Sequence, residues 1–129
     1  MATVVLEDGE RELARERVHL DSARRTNGCE LVLTDRRLVL AGDYVGLFGL
    51  RSSSFVREIK RHELESAKVV GNELHVVSKG GSYQQPWLLG VYKAKQWAEV
   101  LAVWSGQAAP SVDRAIADLP EARWIKPKS

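Results

Sequence analysis

Short apolar runs separated by polar turns fill most of the chain, and this spacing is typical of β-strands. The clearest pair is ELVLT and RLVLA, joined by the polar corner TDRR at residues 34–37. Because the corner is short and both flanking runs are apolar, we predict a β-hairpin with strands at residues 29–34 and 37–41. Five further strands are predicted at residues 11–20, 55–60, 65–70, 73–78 and 83–90. Pro86, within the last of them, lacks an N–H donor and indicates an edge position or a bulge.

The run RELARERVHL at residues 11–20 is open to two interpretations. Its Glu, Ala, Leu and Arg residues all favour a helix. Alternation instead places Ala14, Glu16, Val18 and Leu20 on one face of a strand. We favour the strand because the run leads directly into the hairpin.

The segment 42–54 is rich in Gly and Ser and is predicted as a loop. It also carries five large apolar residues, which are Tyr44, Val45, Leu47, Phe48 and Leu50. These residues could form an exposed patch for a partner or a membrane surface. Alternatively, the neighbouring strands extend into the segment and half of the set packs inward, which is the interpretation we favour.

One amphipathic helix is predicted at residues 93–105. Its apolar stripe, at positions i, i+3, i+4 and i+7, consists of Trp97, Val100, Leu101 and Trp104. Gly106 stands where a C-terminal cap is expected. We therefore expect Trp97 and Trp104 to lie in the core, where they cover the open edge of the sheet.

Residues 107–129 are predicted as a linker, GQAAPS, followed by a tail with a short helix capped by Ser111. Leu119, Trp124 and Ile125 are apolar residues within this charged tail. We expect the tail to dock through Trp124, either on its own sheet or on a neighbouring subunit. A frayed terminus is the alternative, because chain ends are often disordered.

Length and composition restrict the class of protein. A chain of 129 residues fits one domain. The net charge of +2 is too small to indicate nucleic-acid binding, and the single cysteine excludes an internal disulfide. The N-terminus carries neither a signal peptide nor a membrane span, so we expect a cytoplasmic protein.

Three pieces of sequence carry a resemblance to a known family: GERELARERV, GCELVLTDRRLVLAG and KAKQWAEVLAVW. Together with the order of seven strands and one helix, they resemble the pleckstrin-homology superfold, in its bacterial PH-like and GRAM-like branch. The resemblance covers residues 9–106 and implies a mainly β (α+β) domain. That domain is a seven-stranded split barrel of two antiparallel sheets, capped by one C-terminal helix. The tail at 107–129 lies outside it.

The resemblance also implies where a ligand binds. In PH-like folds the loops at the open end of the barrel often take the ligand, which here are residues 21–28, 42–54 and 79–82. The candidate binding residues on them are Arg24, Arg25, Tyr44, Phe48, Arg51 and Lys79. Lipid-binding members carry a dense basic pattern across the first two strands. Residues 10–37 instead hold seven Arg against six acidic residues, which argues against a strong headgroup site.

No catalytic or metal-binding constellation is visible. His19, His62 and His75 lack ligand spacing, and Cys29 is expected to be a small buried hydrophobe. We therefore predict no enzyme, no cofactor and no metal. For Arg36 and Arg37 we expect structural roles, with Asp35 closing the turn and the arginines forming surface ion pairs of little energetic value.

The predicted function is a non-catalytic interaction module that binds a protein partner or self-associates. The resemblance implies two usable surfaces, the loop end and the groove between the fifth strand and the helix. An edge strand could also accept a peptide or a second copy by strand addition. The alternative is a peripheral membrane or anionic-ligand binder, at the inner face of the membrane, that uses the basic and apolar loops. A small enzyme or a carrier of apolar ligands is the third interpretation.

Overall fold

The computed structural model describes residues 4–21, 26, 28–45, 51–79 and 86–106. It is mostly β-structure, with seven antiparallel strands in one curled sheet and one helix after them, which confirms the predicted fold class. The strands are β1 (Glu12–Asp21), β2 (Cys29–Thr34), β3 (Arg37–Val45), β4 (Arg51–Lys60), β5 (Leu64–Val70), β6 (Glu73–Ser78) and β7 (Trp87–Gly90). A short 3-10 helix (Arg61–Glu63) joins β4 to β5, and the α-helix is α1 (Ala94–Trp104).

Strand β1 connects the two halves of the sheet. The strand order is β4-β3-β2-β1-β7-β6-β5, and all described neighbours are antiparallel. The first part of β1 pairs with β2, up to Val18 opposite Cys29. Its last three residues pair instead with β7, from His19 opposite Gly90 to Asp21 opposite Leu88. One strand therefore belongs to both halves, which curls the sheet around a common interior.

The interior is filled from both halves of the sheet and from α1. Ala14, Val18 and Leu20 of β1 are buried, as the predicted strand alternation requires, so the helical alternative for residues 11–20 is wrong. Helix α1 packs on β5 and β6, and its stripe is fully buried as predicted. That stripe consists of Trp97, Val100, Leu101 and Trp104. Among the described residues, no helix is long and apolar enough to cross a bilayer.

Strands β3 and β4 continue beyond residues 37–41 and 55–60 into the segment 42–54, which confirms the favoured interpretation that the neighbouring strands extend into it. The predicted loop at 42–54 is strand at both of its ends, and the pairing continues from Gly42 opposite Phe55 to Val45 opposite Arg51. Gly42 is needed inside the strand, because a Cβ there would lie 2.7 Å from the Cys29 sulfur. Residues 46–50, with Leu47, Phe48 and Leu50, lie outside the described residues.

The last strand is shorter than predicted. Pro86 directly precedes β7, which begins at Trp87, so the proline takes no place in the ladder. The preceding part of the predicted strand falls outside the described residues. The same is true of the whole segment 107–129, and therefore of the predicted linker, the short helix and the docking through Trp124.

Candidate functional site

The most charged cluster of the described chain is a corner where the N-terminal segment meets the β2–β3 hairpin. The carboxylate of Glu10 is fully buried and accepts bonds from Arg37 Nε (2.9 Å), Arg37 Nη2 (3.0 Å) and Thr34 Oγ1 (2.6 Å). Arg37 also donates through Nη1 to Glu58 Oε2 at 2.8 Å. The Arg37 hydrogen bond, above all, lowers the pKa of Glu10 to about 2. These groups satisfy one another, so the corner holds the fold together and offers little to a ligand.

Two details of this corner differ from expectation. Arg37 has the predicted structural role, but it is not a surface ion pair, since only 11% of its side chain is exposed. The turn is closed by Thr34, whose Oγ1 accepts from the backbone N–H groups of Arg36 (3.1 Å) and Arg37 (3.0 Å). Asp35 does not close it, because its Oδ1 accepts instead from the N–H of Arg11 at 3.0 Å. A threonine hydroxyl therefore performs the task expected of the aspartate.

Of the predicted ligand-binding residues, Tyr44 is the best defined. Its ring lies 4.8 Å from that of Phe55, and its hydroxyl accepts from Arg57 Nη2 at 2.9 Å. The Arg57 guanidinium also stacks 5.3 Å from the Phe55 ring. Thr26 forms an isolated bridge with Tyr44, so the segments 21–28 and 42–54 meet at these two residues.

The other predicted residues are not brought to Tyr44 within the described part of the chain. Arg51 begins β4 opposite Val45, and only its backbone is described. Lys79 is exposed, and its N–H donates to the carbonyl of Glu63, beyond the far end of β4 from Tyr44. The remaining candidates, Arg24, Arg25, Phe48 and Trp124, lie outside the described residues.

A groove of about 350 Å³ lies where the end of β5 meets the start of α1. Val91 and Ala94 form its buried floor, while Val69 and the 61% exposed Tyr92 line its sides. The Gly71-Asn72 turn between β5 and β6 closes one end. This is the second of the two surfaces that the sequence resemblance implied.

The polar side of the groove is basic. Lys93 and Lys95 both line it, and none of the lining residues carries a carboxylate. Lys93 caps the helix with a left-handed backbone (φ 61°, ψ 47°), and its Nζ lies 5.1 Å from the Tyr92 ring. A non-glycine residue in this conformation is strained, and such strain concentrates at functional sites.

Lys93, Lys95 and Tyr92 are site residues that the sequence pattern did not predict. A signal was present, because the helix begins at VYKAKQW without the Ser, Thr, Asp or Asn that usually occupies the N-cap. A lysine at the N-cap and a second one in the first turn lie at the positive end of the helix dipole, so this helix start is not optimised for its own stability. The exposure of Tyr92 could not be recognised from the sequence.

Neither a metal-binding cluster nor an activated cysteine is found among the described residues. No group of three or more His, Cys, Asp or Glu side chains is arranged there to hold a metal ion. Burial raises the pKa of the Cys29 thiol, which keeps it protonated and poorly nucleophilic. No protein-family model, curated protein or solved structure matches the chain.

Proposed function

We propose that this protein is an interaction module whose groove between β5 and α1 binds a short acidic segment of a partner protein. The observation that carries the proposal is the lining of the groove, which combines an apolar floor with Lys93 and Lys95 and has no carboxylate. We also propose that the fold is PH-like and the setting bacterial and cytoplasmic. The strand order with β1 in both halves, and α1 packed beside β5, support the PH-like part.

The chemistry of the groove suggests the composition of the partner. An aliphatic side chain fits the floor of Val91 and Ala94 and removes apolar area from water. A carboxylate next to it would lie between Lys93 and Lys95, where an exposed pair contributes at most about 1 kcal/mol. The volume is at the small end of the range for ligand sites, so we expect weak, reversible binding.

The membrane alternative has less support in the described residues. It would use the loop end beside Tyr44, where the Arg57 guanidinium is already engaged by the Tyr44 hydroxyl and the Phe55 ring. An arginine engaged in this way is a poor headgroup ligand unless those contacts break.

We expect a short peptide of alternating aspartate and leucine to bind at the groove. With ¹⁵N-labelled protein, its addition should shift the amide resonances of Val69, Asn72 and Lys95 and leave those around Tyr44 unchanged. The Lys95→Gln variant should weaken binding several-fold. Lys79→Gln is the matched control, because Lys79 is also an exposed lysine and lies at the opposite end of the β5–β6 hairpin.

Three outcomes would contradict the proposal. A control peptide of alternating lysine and leucine could bind as tightly as the aspartate–leucine peptide. The Lys95→Gln variant could also bind the aspartate–leucine peptide as tightly as the Lys79→Gln variant does. Vesicles containing phosphatidylglycerol could also co-sediment with the protein and shift the amides around Tyr44, in which case the membrane alternative is right.

Replacing the strained lysine should separate stability from binding. Lys93→Gly removes the left-handed strain at φ 61°, so we expect it to raise the free energy of unfolding by about 0.5–1 kcal/mol. The same change removes a cation from the groove and should weaken binding of the peptide. Lys95→Gly, inside the helix, should lower it by up to about 1 kcal/mol. Urea denaturation measures both. Equal signs for the two variants would show that the strain at Lys93 has no energetic weight.

A further inference from the structure

Strand β4 forms one end of the sheet and is long for an edge strand. Nine of its ten residues pair with β3, and no other described strand pairs with its second side. Val56, in its middle, is 54% exposed. An open edge of this length presents a row of backbone donors and acceptors that another strand can use.

The ladder determines which backbone groups face the open side. The N–H of Arg61 donates to the carbonyl of Arg36 at 2.9 Å, so residue 61 bonds toward β3. Antiparallel ladders alternate, which means that residues 59, 57 and 55 also bond inward. The backbone groups of Ser54, Val56 and Glu58 therefore point to the open edge.

We propose that a second copy of this chain pairs antiparallel along β4, around a twofold axis at Val56. In such a pair the residue on the axis lies opposite the same residue of the second copy. The residue before the axis then lies opposite the residue after the axis in the other copy. An axis at Arg57 would place two arginines opposite each other, and one at Glu58 would oppose two carboxylates. Like charges directly opposite destabilise a sheet, so these registers are excluded.

The register around Val56 avoids these repulsions. Arg57 then lies opposite Phe55 of the second copy, so no two arginines face each other. Glu58 lies opposite Ser54, and its charge is already balanced by Arg37. An axis at Phe55 is less favourable, because Phe55 is packed inward against the core and Tyr44, whereas the Val56 side chain is free to meet its copy.

The pairing uses one strand edge, so the buried area is small and the dimer is weak and concentration-dependent. It is separate from the groove, since none of the residues that line the groove lies on β4. If the Lys95→Gln variant still forms the dimer, pairing along β4 is supported even if no peptide binds at the groove.

Cysteine cross-linking tests the register. Opposite residues of a hydrogen-bonded pair have Cα atoms about 5.5 Å apart, which is within disulfide range. Under a mild oxidant such as diamide, Val56→Cys should form a linked dimer rapidly. Val70→Cys is the matched control, because Val70 is also a β-strand valine and is equally exposed at 54%. If both variants cross-link at the same rate, the proposed register is wrong.

Sedimentation equilibrium tests the association without a covalent bond. We expect the wild-type chain to shift from monomer to dimer as its concentration rises from micromolar to millimolar. Val56→Pro removes only an N–H that faces the open edge, so the chain should fold and remain monomeric. Val56→Thr keeps that N–H and should dimerise like the wild type. A wild-type protein that stays monomeric over the whole range overturns the proposal.

Discussion

Replacing Trp104 by alanine should lower the free energy of unfolding by about 3–5 kcal/mol. The indole is fully buried at the end of α1, and its Nε1 donates to the carbonyl of Thr34 at 2.8 Å. That bond ties the helix to the corner of the β2–β3 hairpin. Alanine would leave a large cavity and remove the partner of a buried carbonyl, and each of these effects destabilises a fold.

Chemical denaturation and thermal melting measure this loss, and Tm should fall by more than about 10 °C. Trp104→Phe is the matched control, because phenylalanine fills part of the volume but has no N–H donor. Its loss should be clearly smaller than that of alanine. The neighbouring Arg61 lies 5.8 Å from the indole and donates from Nε to the Trp104 carbonyl at 2.5 Å, and both variants keep that backbone bond. An alanine variant within about 1 kcal/mol of the wild type would contradict a core role.

Local periodicity in the sequence was enough to predict the secondary structure and many of the core residues. The alternation in β1 and the stripe in α1 each repeat with the period of their element, so the buried faces could be derived from the chain alone. Glu16 shows the limit of this approach. Its position on the buried face was predicted, but its partner, the indole N–H of Trp97, lies 81 residues away and follows from no local pattern.

The candidate site was less predictable for the same physical reason. The groove forms because the β5–β6 turn lies next to the start of α1. The periodicity of the sequence does not indicate which elements lie next to each other. The continuation of β3 beyond residue 41 agrees with the favoured interpretation of segment 42–54, but the close packing at Gly42 could not be predicted, because a glycine in a sequence can equally indicate a turn. Inside the fold, that glycine allows Cys29 and Phe55 to approach the backbone closely.

The ion pair between Arg37 and Glu10 is also a contact between residues far apart in the sequence. Replacing Arg37 should have the second large effect on stability. Its partner Glu10 is completely buried, while Arg37 itself is almost covered. Arg37→Met keeps much of the side-chain volume and leaves the Glu10 carboxylate without its cation. Breaking a buried ion pair in this way costs about 3–5 kcal/mol, and we expect a loss near the lower end.

Arg36→Met is the matched control. Arg36 neighbours Arg37 in the same turn, but 49% of its side chain is exposed and its contact with Glu7 spans 3.8 Å. Its loss should stay within about 0.5 kcal/mol. The double variant Glu10→Gln with Arg37→Met removes both charges, so it should recover part of the stability lost in Arg37→Met.

The effect of pH on the stability lost in Arg37→Met distinguishes an electrostatic cause of that loss from a packing cause. Because the pKa of Glu10 is lowered from 4.5 to about 2, the stabilisation by its ionised form is complete above pH 4.5 and disappears as the pH falls toward 2. The gap in unfolding free energy between wild type and Arg37→Met should therefore narrow from neutral pH to pH 2, whereas the gap for Arg36→Met should stay small. Urea titrations across this range measure both gaps. A gap for Arg37→Met that is constant with pH would show that Arg37 acts through packing of its stem and not through the charge of Glu10.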